Sequence, residues 1–169
     1  MPTVSAVASE GALGSTSMQC MTLDEILGQF ARDGTYHFTN GPATAVELRE
    51  LEGAAGHPLP SSFRAFLSRL GGGLFYAGHE IFGPHRVMVH DIELVPSLNA
   101  IRSGPCAPRL PDGLVPFHRI GGILHAFDLR DPAGAERIVA FPCGSTYPDL
   151  PSFLEAVVLP PAATTRPLN

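Results

Sequence analysis

Lysine and tryptophan are absent from this chain of 169 residues, and cysteine occurs only three times. All 11 basic residues are Arg, they face 16 acidic residues, and the formal net charge is -5. Binding to a nucleic-acid backbone requires a surplus of basic side chains that neutralise phosphates. The shortage of positive charge therefore argues against nucleic acid as a partner.

The three cysteines are too few and too widely spaced for a disulfide framework. Cys20, Cys106 and Cys143 are an odd number, which is typical of free thiols in a reducing compartment. Residues 1–20 contain neither a basic n-region nor a long apolar run, so they indicate neither a signal peptide nor a transmembrane helix. We therefore expect a cytoplasmic protein that makes no contact with a membrane.

The composition predicts one globular domain with many loops. Apolar residues make up 44% of the chain and charged residues only 16%, while 17 Pro and 18 Gly interrupt the elements. A chain of this length needs only one core. We expect a disordered segment over 1–20, a single domain over 21–159 and a flexible tail over 160–169.

Three helices are predicted in the N-terminal half. Thr22 with Glu25, and Thr44 with Glu47, each have the spacing of a capping box ahead of an apolar stripe. A third stripe begins after Leu59-Pro60 and ends at the glycine triplet 71–73. The stripes consist of Leu23, Ile26, Leu27 and Phe30; Ala45, Leu48, Leu51 and Ala55; and Phe63, Phe66, Leu67 and Leu70.

After Leu74 the apolar residues come in short pieces bounded by Gly and Pro, which predicts strands. Ile123 to Leu129 and Arg137 to Phe141 are expected to pair as a hairpin around the connection Asp131 to Gly134. A helix is predicted to interrupt the strands, since Ile92, Val95, Leu98 and Ile101 recur every three residues. A last helix is expected over Ser152 to Val158. The fold class is α+β: a helical N-terminal half packed on a small, largely antiparallel β-sheet, with a C-terminal helix.

Metal and phosphate sites find little support in the spacing of residues. His79, His85 and His90 are the densest histidines, but they match no recognised ligand spacing, so we expect solvated loop histidines and no metal or cofactor. The triplet 71–73 closes a helix, whereas a phosphate cradle opens one. Phe75, Tyr76 and Phe82 lack interleaved basic residues and are expected in the core or at an interface.

A nucleophilic site could be assembled from Cys143, His125 and Asp128, because thiolate catalysis needs a nearby base and an orienting acceptor. Positions 125 and 128 differ by an odd number and would point to opposite faces of a strand. We therefore expect no catalytic residues and predict that Cys143 is a small buried hydrophobe.

The order of motifs resembles the SUKH superfamily. The resemblance is carried by Thr44 to Glu52, Gly56, Leu59-Pro60-Ser61-Ser62-Phe63, Phe66-Leu67 and the glycine triplet, and continues through Leu110 to Phe117, Gly121-Gly122, Phe127 to Leu129 and Ser152 to Glu155. The chain departs from the family pattern in having Leu70 before the first glycine pair and Ile123 after the second. The resemblance covers residues 44–158.

The resemblance implies a protein that binds another protein and does not catalyse a reaction. The superfamily includes bacterial immunity proteins that neutralise polymorphic toxins, and a fungal cell-wall regulator. An acidic member suits a basic toxin such as a nuclease, whose active cleft it would occlude. A regulatory or scaffold module of the same fold, and a small enzyme, are the alternatives.

The partner-binding residues are predicted to lie on a loop-rich acidic surface after the third helix. Tyr76 offers an aromatic anchor, and Glu80, Asp91 and Glu93 offer steering charges around it. The sequence leaves the oligomeric state open.

Overall fold

The computed structural model describes residues 20–33, 37–76, 78–104, 108–130 and 136–160. The predicted disordered segment and flexible tail lie outside these residues, apart from Cys20 and Pro160. Cys106 and the expected connection Asp131 to Gly134 also lie outside them. What is described confirms the α+β class and its C-terminal helix.

Both capping boxes form. The Thr22 hydroxyl accepts a hydrogen bond from the Glu25 backbone N–H, while the Glu25 carboxylate accepts one from the Thr22 backbone N–H. Thr44 and Glu47 form the same pair of hydrogen bonds at the start of the second helix. The last helix begins at an Asp149 cap, earlier than expected, and continues as a π-helical turn over Leu154–Val158. The helices are α1 Leu23–Arg32, α2 Ala45–Ala55, α3 Ser61–Leu70, α4 Leu98–Ser103 and α5 Leu150–Phe153.

The glycine triplet ends α3 where backbone segments approach too closely for a side chain. Gly71 has φ of 71°, and a Cβ on Gly72 would lie 2.3 Å from the backbone nitrogen of Gly83. Any larger residue at 72 would force these segments apart.

Seven strands form one antiparallel sheet in the order β1-β2-β3-β6-β7-β8-β9, and β4 and β5 form a separate hairpin. The expected hairpin of β7 and β8 is confirmed. The strands are β1 His37–Thr39, β2 Gly73–Phe75, β3 His79–Ile81, β4 Val87–Val89, β5 Ile92–Val95, β6 Leu114–Ile120, β7 Ile123–Asp128, β8 Ile138–Phe141 and β9 Thr146–Tyr147.

Phenylalanines join the sheet to the helices on one of its faces. The Phe63 ring of α3 lies 5.4 Å from Phe117 of β6 and 5.2 Å from Phe127 of β7, measured between ring centroids. Phe153 of α5 lies 5.1 Å from Phe117. All four are fully buried, and aromatic contacts of this kind add to their hydrophobic stabilisation.

The prediction of a helix over Ile92 to Ile101 was wrong for the first half of this segment. Ile92–Val95 is strand β5, paired antiparallel with β4, and the helix begins only after the Ser97 cap. Pro96 has no N–H to donate and disfavours helical angles in the residue before it, so the helix cannot extend back through Val95. None of the described helices is long and apolar enough to cross a membrane.

Candidate partner-binding surface

Tyr76 follows β2 with φ of 43° and turns its ring toward α1. The ring centroid lies 4.7 Å from that of His37 and 5.8 Å from that of Phe30. Its hydroxyl donates a 2.9 Å hydrogen bond to Asp33 Oδ2, and burial together with this carboxylate raises the pKa of Tyr76. The side chain is half-buried and anchored, so only part of it is open to a partner.

Glu80 lies on β3 directly opposite Arg119 of β6. Its Oε2 accepts from Arg119 Nε at 3.0 Å and also from Nη2, so the ion pair is held by two hydrogen bonds. The Arg119 guanidinium also lies 5.8 Å from the centroid of the buried Phe82 ring. Glu80 is thus a positioned carboxylate with a basic neighbour, and not an isolated loop charge.

Asp91 and Glu93 lie on the β4–β5 hairpin. Its turn is His90-Asp91, with φ of 47° and 64°, as required of two-residue turns that match the twist of the strands. Asp91 is exposed, and Glu93 Oε2 lies 3.4 Å from Arg86 Nη1. Two large apolar side chains flank the turn: Met88 is 48% exposed and Ile92 is 64% exposed.

The structure groups the four candidate residues into two pairs. Tyr76 and Glu80 flank the turn between β2 and β3, and Asp91 and Glu93 belong to the hairpin. Strand β5 lies beside β2, so the pairs occupy neighbouring parts of the surface. The apolar neighbours Met88 and Ile92 were missed from the sequence, because in the mispredicted helix Ile92 belonged to the buried face.

A chain of three histidines lies on the helix-facing side of the large sheet. His79 Nδ1 is 3.2 Å from His118 Nε2, and His118 Nδ1 is 3.0 Å from His125 Nδ1. Burial, followed by the charges of the other two histidines, lowers the pKa of His118 to about 2. Burial and His79 lower the pKa of His125 to about 4, and burial lowers that of His79. The three rings are therefore neutral at physiological pH. Each ring is hydrogen-bonded to the next.

The three densest histidines of the sequence, which were expected to be solvated loop residues, do not meet one another. For His79 that expectation was wrong, because it is half-buried on strand β3. His79 contacts His118, His85 Nε2 lies 2.6 Å from Glu47 Oε1, and His90 occupies the exposed hairpin turn. The Thr44 backbone N–H and then His85 lower the pKa of Glu47 to about 2. Among the described residues no group of three His, Cys, Asp or Glu is placed to hold a metal ion.

The hypothetical nucleophile and its partners also lie apart. Cys143 is exposed in the turn after β8, so the prediction that it is buried was wrong. Its neighbours over residues 142–146 are exposed as well. His125 faces the helices against Phe153, while Asp128 accepts two hydrogen bonds from the Arg130 side chain.

A cleft of about 400 Å³ lies between the end of α2, α4 and the start of β6, lined in part by His57, Arg102 and Asp112. The Arg102 guanidinium already has partners, because it donates hydrogen bonds to the Ala54 and Ala55 carbonyls at the end of α2. The structure shows no hydrogen bond or ion pair among His57, Arg102 and Asp112.

The chain matches a known protein family over most of its length. Residues 42–156, from just before α2 to the π-helical turn, match the sequence model of the SMI1 / KNR4 family (SUKH-1). The match spans both pairs of candidate residues and the three histidines. No curated protein matches the chain.

Proposed function

Because the chain belongs to the SMI1 / KNR4 family (SUKH-1), we propose that it is a non-catalytic, cytoplasmic protein-binding domain and acts as an immunity protein. In this role it covers the active cleft of a cognate bacterial polymorphic toxin. The observation that carries the proposal is the β4–β5 hairpin, where exposed apolar and acidic side chains stand together on a turn of defined geometry.

The hairpin has the composition of a binding anchor. Met88 and Ile92 supply apolar area that a partner can bury, and Asp91 adds a negative charge at the tip. Binding energy commonly concentrates in a few such side chains, while surrounding charges raise the association rate. The net charge of -5 adds long-range attraction toward a basic partner such as a nuclease.

The polar groups that could otherwise suggest catalysis have structural partners. Glu80 is paired with Arg119, Asp128 with Arg130, and His118 and His125 are buried with lowered pKa values. Occlusion requires none of them to react. Tyr76 and Glu80, which are held in place by hydrogen bonds, extend the proposed binding surface beside the hairpin.

The test uses the protein encoded beside this chain's own gene as the candidate toxin. Association is measured with the wild type, with Asp91→Ala/Glu93→Ala, and with the matched control Glu50→Ala/Asp112→Ala, which removes the same charge from exposed positions elsewhere. The hairpin variant should associate more slowly by about tenfold at low salt, and its salt dependence should flatten. The control should stay near the wild-type rate.

A further substitution separates steering from anchoring. Ile92→Ala should leave the association rate close to the wild-type value and raise the dissociation rate by about tenfold or more, since it removes buried contact area without changing charge. Equal association rates for the two double variants would exclude the hairpin. A wild type that neither binds the neighbouring protein nor protects cells producing it would exclude the immunity role.

A further inference from the structure

Six side chains form a row across the face of the large sheet that points away from the helices. The strand register places Phe38 opposite Leu74, Leu74 opposite Glu80, Glu80 opposite Arg119, Arg119 opposite Leu124, and Leu124 opposite Phe141. Residues directly opposite each other on neighbouring strands project from the same face. We call these six residues the cross-strand row.

The other face of the sheet packs against the helices. On each inner strand one neighbour of the row turns toward the helices and is at most 3% exposed. These neighbours are Phe75, Ile81, His118, His125 and Ala140. Every member of the row keeps contact with solvent. Phe38 is 50% exposed, and the remaining five are half-buried.

The chemistry of the row is symmetrical about its centre. From β1 to β8 it runs aromatic, aliphatic, acidic, basic, aliphatic, aromatic. Reversing the direction exchanges the acid for the base and leaves the apolar positions apolar. Such a row is complementary to an inverted copy of itself.

A two-fold axis parallel to the strands, passing through the middle of the row in the plane of contact, produces that inversion. Glu80 then faces Arg119 of the partner subunit, and Phe38 faces Phe141 of the partner subunit. Two-fold interfaces are isologous and require a self-complementary patch of this kind. We propose that the cross-strand row is the interface of a symmetric homodimer of this chain.

The central ion pair gives the dimer its register. Within one subunit Glu80 and Arg119 already bond, and Arg119 lies over Phe82, so the side chains are ordered before association. In the dimer the two pairs form a network of alternating charges flanked by apolar contacts. The row extends over five inter-strand spacings of about 4.8 Å, or about 24 Å, which suits a small and reversible interface.

This proposal goes beyond binding of a toxin. Glu80 belongs to both proposed surfaces, so the two proposals are separated through residues that belong to only one of them. Asp91 and Glu93 lie on the hairpin, outside the row, so Asp91→Ala/Glu93→Ala should leave self-association unchanged. Loss of toxin binding with intact dimers, or the reverse, would separate the two proposals.

The experiment measures the molar mass of the full chain by light scattering and sedimentation over a range of concentrations up to hundreds of micromolar. The wild type should shift toward twice the monomer mass as concentration rises. Glu80→Arg alone and Arg119→Glu alone should each remain monomeric, because like charges then face each other across the axis. Glu50→Arg, an exposed change of the same charge on α2, should dimerise as the wild type does.

Mixing the two single variants provides the decisive measurement. Each variant lacks its intrachain ion pair, yet every cross-axis contact in a mixed dimer is between opposite charges. Equimolar Glu80→Arg and Arg119→Glu should therefore recover the dimer mass, which a merely intrachain role of the pair cannot produce.

Thermal melting of each variant confirms folding before the masses are compared. If either charge variant fails to fold, Phe38→Glu serves instead, since Phe38 is half exposed and the Glu80–Arg119 pair stays intact. It should weaken dimerisation by about tenfold or more. A wild type that is monomeric at every concentration, folded single variants that still dimerise, or a mixture that stays monomeric would each overturn the proposal.

Discussion

At the scale of single residues, the three linked histidines His79, His118 and His125 make the stability of the fold depend on pH. His118 is 0% exposed and His125 3% exposed, and both pack against Phe153 of α5. On the β9 side, the titratable side chain in ring contact is Tyr147, 6.1 Å from His125 between centroids. Burial is the main cause of the lowered pKa values of His118 and His125, and the charges that add to it come from the other histidines of this group.

The direction of the effect follows from the lowered pKa values. An unfolded histidine takes up a proton near pH 6.5, whereas His125 in the folded protein does so near pH 4 and His118 near pH 2. Below pH 6.5 the unfolded chain therefore binds more protons than the folded one. Stability is fully present above this pH and falls as the pH falls.

We predict a decline in the free energy of unfolding between pH 6.5 and pH 5, where most carboxylates are still ionised. Each histidine that is protonated only in the unfolded chain contributes a slope approaching about 1.4 kcal/mol per pH unit. His118→Phe, which keeps an aromatic ring against Phe153, should flatten the slope. The exposed His57→Gln should not. Parallel pH profiles of the denaturation midpoint for His118→Phe and the wild type would contradict this assignment.

At the scale of elements, α3 depends on a residue far away in sequence for its first turn. Pro60 precedes the helix and provides no side-chain cap. Glu136, just before β8, accepts a 2.8 Å hydrogen bond from the Ser61 hydroxyl and a 3.2 Å hydrogen bond from the Ser62 backbone N–H. The carboxylate also lies where the positive end of the helix dipole favours negative charge.

Removing this cap should destabilise the fold without abolishing it. Glu136→Ala is expected to lower the free energy of unfolding by about 1 kcal/mol, the usual cost of losing an N-terminal cap. Glu50→Ala, which removes an exposed carboxylate within α2, should change it by less than about 0.5 kcal/mol. Urea denaturation of both variants measures the difference, and equal midpoints would show that Glu136 does not cap α3.

Elements also differ in how far local sequence predicts them. The three N-terminal helices were predicted because their signals lie within one or two turns: capping residues three apart, an apolar stripe and a closing glycine. The segment 92–101 was mispredicted because Ile92, Val95 and Leu98 fit a helical spacing. Pairing with β4 made its first half a strand.

At the scale of the whole molecule, the segment 1–20 should be dispensable. Its sequence carries no periodic apolar pattern that could offset the entropy of ordering it. A chain beginning at Met21 keeps the start of the described fold. There the Met21 backbone nitrogen donates a 3.0 Å hydrogen bond to Glu155 Oε2.

We expect this shortened chain to melt within a few degrees of the full one, since about 1 kcal/mol corresponds to a shift of that size. Its proposed dimerisation and toxin binding should also be retained. A larger drop in melting temperature would show that residues 1–20 stabilise the domain.

The amino-acid sequence by itself determined the three N-terminal helices, the two capping boxes, the α+β class and the family. All of these follow from composition, or from residues that are close along the chain and interact within a few angstroms once local structure forms. The acidic balance likewise predicts a partner other than nucleic acid, and this stays a prediction.

Tertiary structure decided which distant residues meet. Glu80 and Arg119, and His79 and His118, are each 39 residues apart, and they touch only because β3 pairs with β6 in one register. The cross-strand row depends on five such registers at once. A shift by one residue in any of them would turn that strand's side chains to the other face. Strand register is set by packing of the whole core against the helices, which no local pattern in the sequence contains.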